Sequence, residues 1–385
     1  MKQPKLLRVI GIDYLAIFIS VVGLLALGMV MVLSASSINS MQLYGNSYSV
    51  FLKQLLFIVI GLGLAFLAVR INWKTWELLA RFSFIFGILA LSATLAFGTN
   101  INGNRNWIPL GPFLIQPSEF AKFALILFCA LRLKKANKNV GEDIANAFLV
   151  IAPFAFIYIL LILGERDLGT ALIIAGIAFC LMFIAGLDMS YAIGTVALGG
   201  AGLVFLAITA PNRLRRFKAF INPFAPDVYK FAGWQPAHSI MGLASGGLFG
   251  VGVGESKQKW ANLAEAHTDF IFSVIGEEMG LLGTLIVLFL YAVLLLAIFR
   301  VAHKSKDLFH KFAVAGIGFW LILQIITNIA TNIGLAPVIG VTLPLISYGG
   351  SAIVANLMAI GFVFKVALDQ GGVTKFSKAD KRIAS

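Results

Sequence analysis

Glu265-Ala266-His267-Thr268-Asp269-Phe270 closes the longest polar stretch of the chain and runs straight into an apolar segment, 271–300. If that segment crosses a membrane, a carboxylate, an imidazole and a hydroxyl fall within five residues at a membrane boundary. Ionisable groups at such a depth are costly to keep, and a function is their default explanation. With Asp269 at the start of a helix, Ser273, Gly276, Gly280 and Gly283 share one face by the three-or-four spacing. Such a small-residue stripe lets a neighbouring helix approach closely in lipid. The plainer alternative is that Thr268 or Asp269 only caps free backbone amides at the helix N-terminus.

The composition decides for a membrane. Of 385 residues, 59% are hydrophobic and 12% charged, and the mean hydropathy is +0.93. A soluble globular protein carries about 25% charged residues. Ten spans of roughly 20 apolar residues are expected at 13–35, 51–70, 77–97, 117–134, 146–164, 169–186, 190–210, 271–300, 311–334 and 350–369. The N-terminal apolar run is too long for the core of a signal peptide and is expected to remain as the first span. The expected fold is an all-α polytopic membrane protein, a single transmembrane domain over 1–385. An outer loop at 98–116, a large outer loop at 211–270 and a cytoplasmic tail at 370–385 complete it.

Lys and Arg concentrate in alternate connections, which sets both termini inside. Residues 211–270 break the pattern. They lie outside yet hold Arg213, Arg215, Arg216, Lys218, Lys230, Lys257 and Lys259. A basic outer loop points to an anionic ligand, with lipid head groups as the bland alternative. The net charge of +13 is spread over short loops, a pattern that fits an anionic leaflet and excludes nucleic acid as the partner. Cys129 and Cys180 lie in apolar runs, so neither a disulfide framework nor a Cys/His metal site is expected.

Three further stretches stand out. The 98–116 loop places Arg105 and Trp107 among Asn, Gly and Pro, turn formers that would present a guanidinium and an indole to a phosphate and a sugar. Span four opens Gln116-Pro117-Ser118-Glu119, with Lys122 three residues on, on one helix face with Glu119. That pair is either a ligand site or a mutually neutralising pair in the bundle. The glycine-rich run 245–254 lacks the strand and βαβ context of a dinucleotide fingerprint and reads as a flexible or re-entrant loop. Ser347 to Ser351 supply small residues where span ten begins, a place where free amides can receive an anion or simply cap and pack.

These motifs, in this order, resemble the SEDS family (shape, elongation, division and sporulation) of ten-span peptidoglycan glycosyltransferases. The resemblance rests on Asn102-Gly103 through Trp107-Ile108, Leu110-Gly111-Pro112, Gln116 through Glu119 with Lys122, and Asp167-Leu168-Gly169-Thr170. It continues through Ser245 to Gly250, Glu265 to Ile271, Gly276-Glu277-Glu278, and Pro344 to Ser351. The run 254–259 looks closer to the division branch (FtsW-like) than to the elongation branch (RodA-like). Ala264 stands where the family usually has Pro, and Glu165-Arg166 where Gln-Pro is common.

The resemblance implies polymerisation of lipid II into glycan strands on the outer face of a bacterial cytoplasmic membrane, with release of undecaprenyl pyrophosphate. It implies a class B penicillin-binding protein transpeptidase as partner, beside other division or elongation proteins. Asp269 matches the family's catalytic aspartate and would act as general base. Arg105, Lys122, Arg213, Arg215 and Arg216, with Lys257 and Lys259 behind them, would meet the pyrophosphate. Trp107, Glu119, His267 and Ser347 would complete the substrate site. No cofactor is evident, and a divalent cation would have its place bridging Asp269 or Glu119 to the pyrophosphate. The rival readings are a lipid II flippase working through Glu119, Lys122 and Glu277, and a non-catalytic scaffold of the cell-wall machinery.

Overall fold

The structure is a computed structural model, and residues 11–101, 103–111, 113–137, 145–208, 211–260 and 263–370 are described. Ten long helices occupy the ten expected positions. They are α1 (Ile12–Tyr44), α2 (Ser49–Arg70), α3 (Trp73–Phe97), α4 (Pro117–Asn137), α5 (Ala145–Gly164), α6 (Leu168–Ile184), α7 (Met189–Ile208), α11 (Ile271–Lys304), α12 (Leu308–Asn332) and α13 (Gly350–Gln370). Among the described residues seven of them are long and apolar enough to cross a membrane. α6 is a turn short at 17 residues, and α4 carries Glu119, Lys122 and Arg132 along its length. The chain is an integral membrane protein.

α4, α12 and α13 form the middle of the bundle, where Leu125, Ile126, Trp320 and Phe362 are fully buried. α2 and α3 lie outside and expose Leu52, Leu56, Val59, Phe82, Ile85 and Phe86, the surface that lipid covers. Helix starts follow side-chain chemistry. Asn72, Asp167 and Asp307 cap α3, α6 and α12 by accepting the amides of Thr75, Thr170 and Phe309. At one end of the bundle Lys134 pairs with Glu77 and Asp307, each at 2.7 Å.

Several expectations need correction. α1 runs on to Tyr44, past the expected end at 35, and two of its serines find partners inside, although Ser36 is buried without one among the described residues. Ser34 donates to both carboxylate oxygens of Glu278 at 2.6 and 2.8 Å, and Ser40 donates to the Asn46 carbonyl. The 98–116 loop is a three-stranded antiparallel sheet, β1 (Thr99–Ile101), β2 (Asn104–Leu110) and β3 (Phe113–Ile115). Thr99 pairs with Trp107, and Ile108 with Ile115, so Asn100, Asn104 and Asn106 lie on strands while Gly103 and Gly111 sit in turns of a meander. The 211–270 segment is built from helices α8 (Pro211–Ile221), α9 (Pro226–Tyr229) and α10 (Trp234–Ser245), joined by turns.

The small-residue stripe of α11 divides in use: Ser273 and Gly276 pack closely against α10 through Ser239 and Leu243, while Gly280 does not continue the seam. Gly280 takes φ 67°, ψ −164° and breaks the helix. The glycine-rich run folds back into the break. The amides of Val251 and Gly252 donate to the carbonyls of Glu277 and Glu278, and the amides of Leu281 and Leu282 donate to those of Gly247 and Leu248. A Cβ on Gly246 would strike the Gly276 carbonyl, one on Gly250 the Glu278 carbonyl, and one on Gly280 the Leu248 carbonyl and the Gly250 amide. Leu243 of α10 fills the space over Gly276. The loop is re-entrant in the literal sense: it supplies the hydrogen bonds that the broken helix lacks.

Gly280→Ala should therefore be disruptive. It combines a left-handed backbone angle, costing about 1–3 kcal/mol for a non-glycine residue, with a collision against backbone that cannot swing away. A thermal melt of the purified chain should show a clear loss, whereas Gly63→Ala, with nothing within 4 Å of the added carbon, should be neutral.

Candidate functional site

Asp269 sits in the turn that leads into α11. The amides of Thr268, Asp269 and Phe270 all donate to the Glu265 carbonyl, and Glu265 itself takes a positive φ of 58°. The turn is gripped from two sides. From α12, Asn328 and Asn332 each donate an amide hydrogen to the Asp269 carbonyl at 2.9 Å. From the 335–349 loop, the Tyr348 amide donates to the His267 carbonyl, and the Ser347 hydroxyl donates to the Thr268 carbonyl at 2.5 Å. All of these contacts go to backbone.

The capping alternative fails on geometry. Phe270 occupies the N-cap position and offers no side-chain cap. The Ser273 amide is satisfied by Oδ1 of Asn332 at 3.1 Å, which also accepts the Ser273 hydroxyl. The Asp269 carboxylate is thus released from a capping duty. It faces Gly340, whose missing side chain leaves room, and is partly exposed.

The electrostatics of the turn favour a protonatable group. Burial, then the charges of Glu265 and Asp167, push Asp269 up to about 7, with Arg216 acting the other way. Burial lowers His267, opposed by Glu265. Arg216 lies on exposed α8, and its guanidinium donates to the Val338 carbonyl at 3.4 Å, in the same loop as Gly340. Asp269 and Arg216 are the expected residues that the fold brings together.

The other expected residues have different surroundings. Arg215 is exposed on α8, and the side chain of Arg213 lies outside the described residues. Arg105 donates from Nε to the Gly98 carbonyl and from Nη2 to that of Ala96, so it caps the C-terminus of α3. Trp107 is half-buried on β2. Glu119 and Lys122 form a buried ion pair at 2.6 Å, and the Lys122 ammonium lies over the Trp320 ring at 5.2 Å. This is the neutralising pair, closed to solvent. Lys259 is likewise buried, paired with Glu278 at 3.3 Å and donating to Ser34 and to the Gly254 carbonyl. Lys257 is exposed, and its amide donates to Glu277 at 3.0 Å. Ser347 is buried and spends its hydroxyl on the turn.

Three residues without an assigned role in the sequence reading shape the site. Asn328 and Asn332 hold the Asp269 turn, and two Asn four apart in an otherwise apolar helix were the available signal. Asp167 accepts from Asn106 at 2.8 Å, Gln116 at 3.2 Å and the Thr170 hydroxyl at 2.9 Å. It thereby ties β2 and the start of α4 to α6. Among the described residues no three His, Cys, Asp or Glu side chains gather as a metal site.

The family model described as "Cell cycle protein", covering FtsW, RodA and SpoVE, matches residues 15–371. The chain belongs to this family. FtsW of Coxiella burnetii, named a probable peptidoglycan glycosyltransferase, is 38% identical over 92% of this chain and 95% of that protein. Stage V sporulation protein E of Bacillus subtilis is 35% identical over 92% of this chain and 96% of that protein. The rod shape determining protein RodA of Thermus thermophilus superposes with a TM-score of 0.69 at 28% identity, covering 92% of this chain and 96% of that one. A chain from a peptidoglycan synthase complex that coordinates polymerization and crosslinking superposes with a TM-score of 0.75 at 29% identity, covering 92% and 97%. The SEDS resemblance and the fold it implied are both confirmed.

For this family member the Asp269 environment has a measurable cost. A carboxyl raised from the ordinary aspartate value near 3.9 to about 7 binds its proton more tightly when folded. Between those values the folded state holds more protons than the unfolded one, so the group's contribution to stability declines as pH rises and is fully lost above about 7. Asp269→Asn should therefore melt at a higher temperature than the parent at pH 8, and the gap should close near pH 4.

Proposed function

We propose that this chain is a peptidoglycan glycosyltransferase that polymerises lipid II with Asp269 as its general base. The observation that carries the reading is a partly exposed, desolvated carboxylate, held by its backbone and free of capping, beside an arginine. The family and the relatives' names support the reaction class. A carboxyl with a pKa near neutral is suited to accept a proton at neutral pH.

The chemistry follows from that placement. Asp269 takes the proton of the acceptor sugar's 4-hydroxyl as that oxygen attacks the anomeric carbon of the donor. The bond from the anomeric carbon to the pyrophosphate breaks, and the electron pair leaves with the undecaprenyl pyrophosphate. One displacement inverts an α-linked donor to a β-1,4 product. Arg216, with Arg215 on the same helix, would stabilise the negative charge that develops on the leaving group. A divalent ion would share Asp269 with the substrate's phosphates. The flippase reading needs Glu119, Lys122 and Glu277 as a path. Each is engaged: Glu119 with Lys122, and Glu277 with the Ser256 hydroxyl and the amides of Lys257 and Gln258.

The proposed orientation has both termini cytoplasmic and Asp269 at the outer face. Exposed single cysteines at Asp227 and Lys306 should label from opposite sides of the membrane. Labelling from the same side would overturn the orientation. The proposed partner is a class B penicillin-binding protein transpeptidase, in keeping with the crosslinking named for the synthase complex.

Asp269→Asn should reduce lipid II polymerisation by a reconstituted chain by at least about 10²-fold, the usual scale for a lost general base. Binding of labelled lipid II should survive. The parent's rate should fall as pH drops below about 7, as Asp269 becomes protonated. Polymerisation at near-normal rate in Asp269→Asn would exclude the assignment.

A further inference from the structure

α7 is a 20-residue apolar helix, the length that crosses a bilayer core, and α8 follows it at once: Ile208 ends one and Pro211 begins the other. Three residues reach at most about 11 Å, so α8 starts at the membrane boundary whatever its later course. Its faces are clearly sorted. Ala219 is 1% exposed and marks the inner face; Arg216 and Phe220 beside it, with Ile221 and Phe224 at the end of the helix and beyond, edge a cavity of about 190 Å³ against Pro337 and Val338. Leu214 and Phe217 fall on the opposite face by helical spacing and are exposed; Ile221, on the same stripe at the helix end, touches the cavity rim yet is still 69% exposed. Lys218 and, beyond it, Arg215 lie along one edge of this apolar stripe by helical spacing and are exposed as well. Past the helix, exposed Phe224 and Phe231, with exposed Lys230 between them, continue the same combination of apolar and cationic groups.

An apolar stripe edged by cations, on a helix that starts at the boundary of the bilayer, has the form of a helix lying in the interfacial plane. The alternative placement, facing water, would expose Leu214, Phe217 and Ile221 together without a cover. We propose that α8 is seated on the outer leaflet, with Leu214, Phe217 and Ile221 among the upper acyl chains and Arg215 and Lys218 on anionic lipid phosphates. The helix's other face carries Arg216, bonded to the Val338 carbonyl and close enough to act on Asp269. Lipid contact on one side thus fixes the position of a cation on the other. The seat uses the bulk lipid of the bilayer and does not depend on the assignment of the reaction.

The test uses the full chain in vesicles, with Cys129 and Cys180 replaced and an environment-sensitive fluorophore at Phe217→Cys or, separately, Ile221→Cys. A probe at Asp227→Cys, exposed on α9, serves as the aqueous control. Vesicles are phosphatidylcholine alone or mixed with phosphatidylglycerol, each with a lipid spin-labelled high on its acyl chain. The expected result is quenching of the 217 and 221 probes by the labelled lipid, protection from aqueous iodide, and the reverse at 227. Protection should be greater with phosphatidylglycerol, and Arg215→Glu with Lys218→Glu should remove that increment alone. Iodide access at 217 and 221 equal to that at 227 in both vesicles would overturn the seat. Protection appearing only after a partner protein is added would assign the face to that protein and overturn it equally. An increment unchanged by the double charge reversal would overturn the role of anionic lipid.

Discussion

Inside a bilayer every backbone amide and carbonyl must find its partner within the protein, because no water is present to take its place. The most consequential feature of this fold is how it meets that demand where a helix is broken. α11 loses its helical backbone at Gly280, and the run 246–252 supplies the missing donors and acceptors from outside the helix. That arrangement places Glu277 and Glu278 against Ser256, Lys257, Gln258 and Lys259. Two carboxylates on the helix thus organise the last part of the 211–270 segment. The turn containing Asp269 lies between that organised segment and the start of the same helix, so its position depends on the break being filled.

The polar groups of the bundle divide into two kinds by their partners. Lys122 with Glu119, and Lys259 with Glu278, are compensated and enclosed. Removing one member would strand the other, which is why such pairs are costly to disturb even when they contribute little as a pair. Asp269 has no such counter-charge in contact, only Arg216 in range. Glu165 is another uncompensated carboxyl: fully buried, with neither oxygen hydrogen-bonded. Burial, then the charge of Asp167, raises it to about 8, against a smaller opposing influence of Thr94.

The positions of the ten helices were legible because hydropathy reports directly on what lipid will tolerate, and Asp269 was legible because a carboxylate at the edge of a span stands out from its surroundings. What was hidden depended on contacts distant in sequence. The end of α1 was set too early because Ser36, Ser37 and Ser40 look like loop chemistry, and only the fold buries Ser36 and Ser40 and bonds Ser40 to the Asn46 carbonyl. The sheet at 99–115 was hidden because Asn100, Asn104 and Asn106, which read as turn formers, lie on its strands. Gly280 fitted the helical spacing of a packing stripe, and only the loop that enters the break explains its backbone. Arg105 looked like a phosphate ligand because nothing in the sequence announces that the carbonyls of Ala96 and Gly98 need a donor.

The grip on Asp269 has a consequence for how such a chain can change over generations. Asn328, Asn332, Ser347 and Tyr348 secure carbonyls of the turn and leave the carboxylate unattached. The turn is therefore held without help from the side chain at 269. On the proposed assignment, a descendant that drifted to a neutral residue there would keep its shape and its place in the bilayer and would lose its base. Reactivity and form would then be separately heritable.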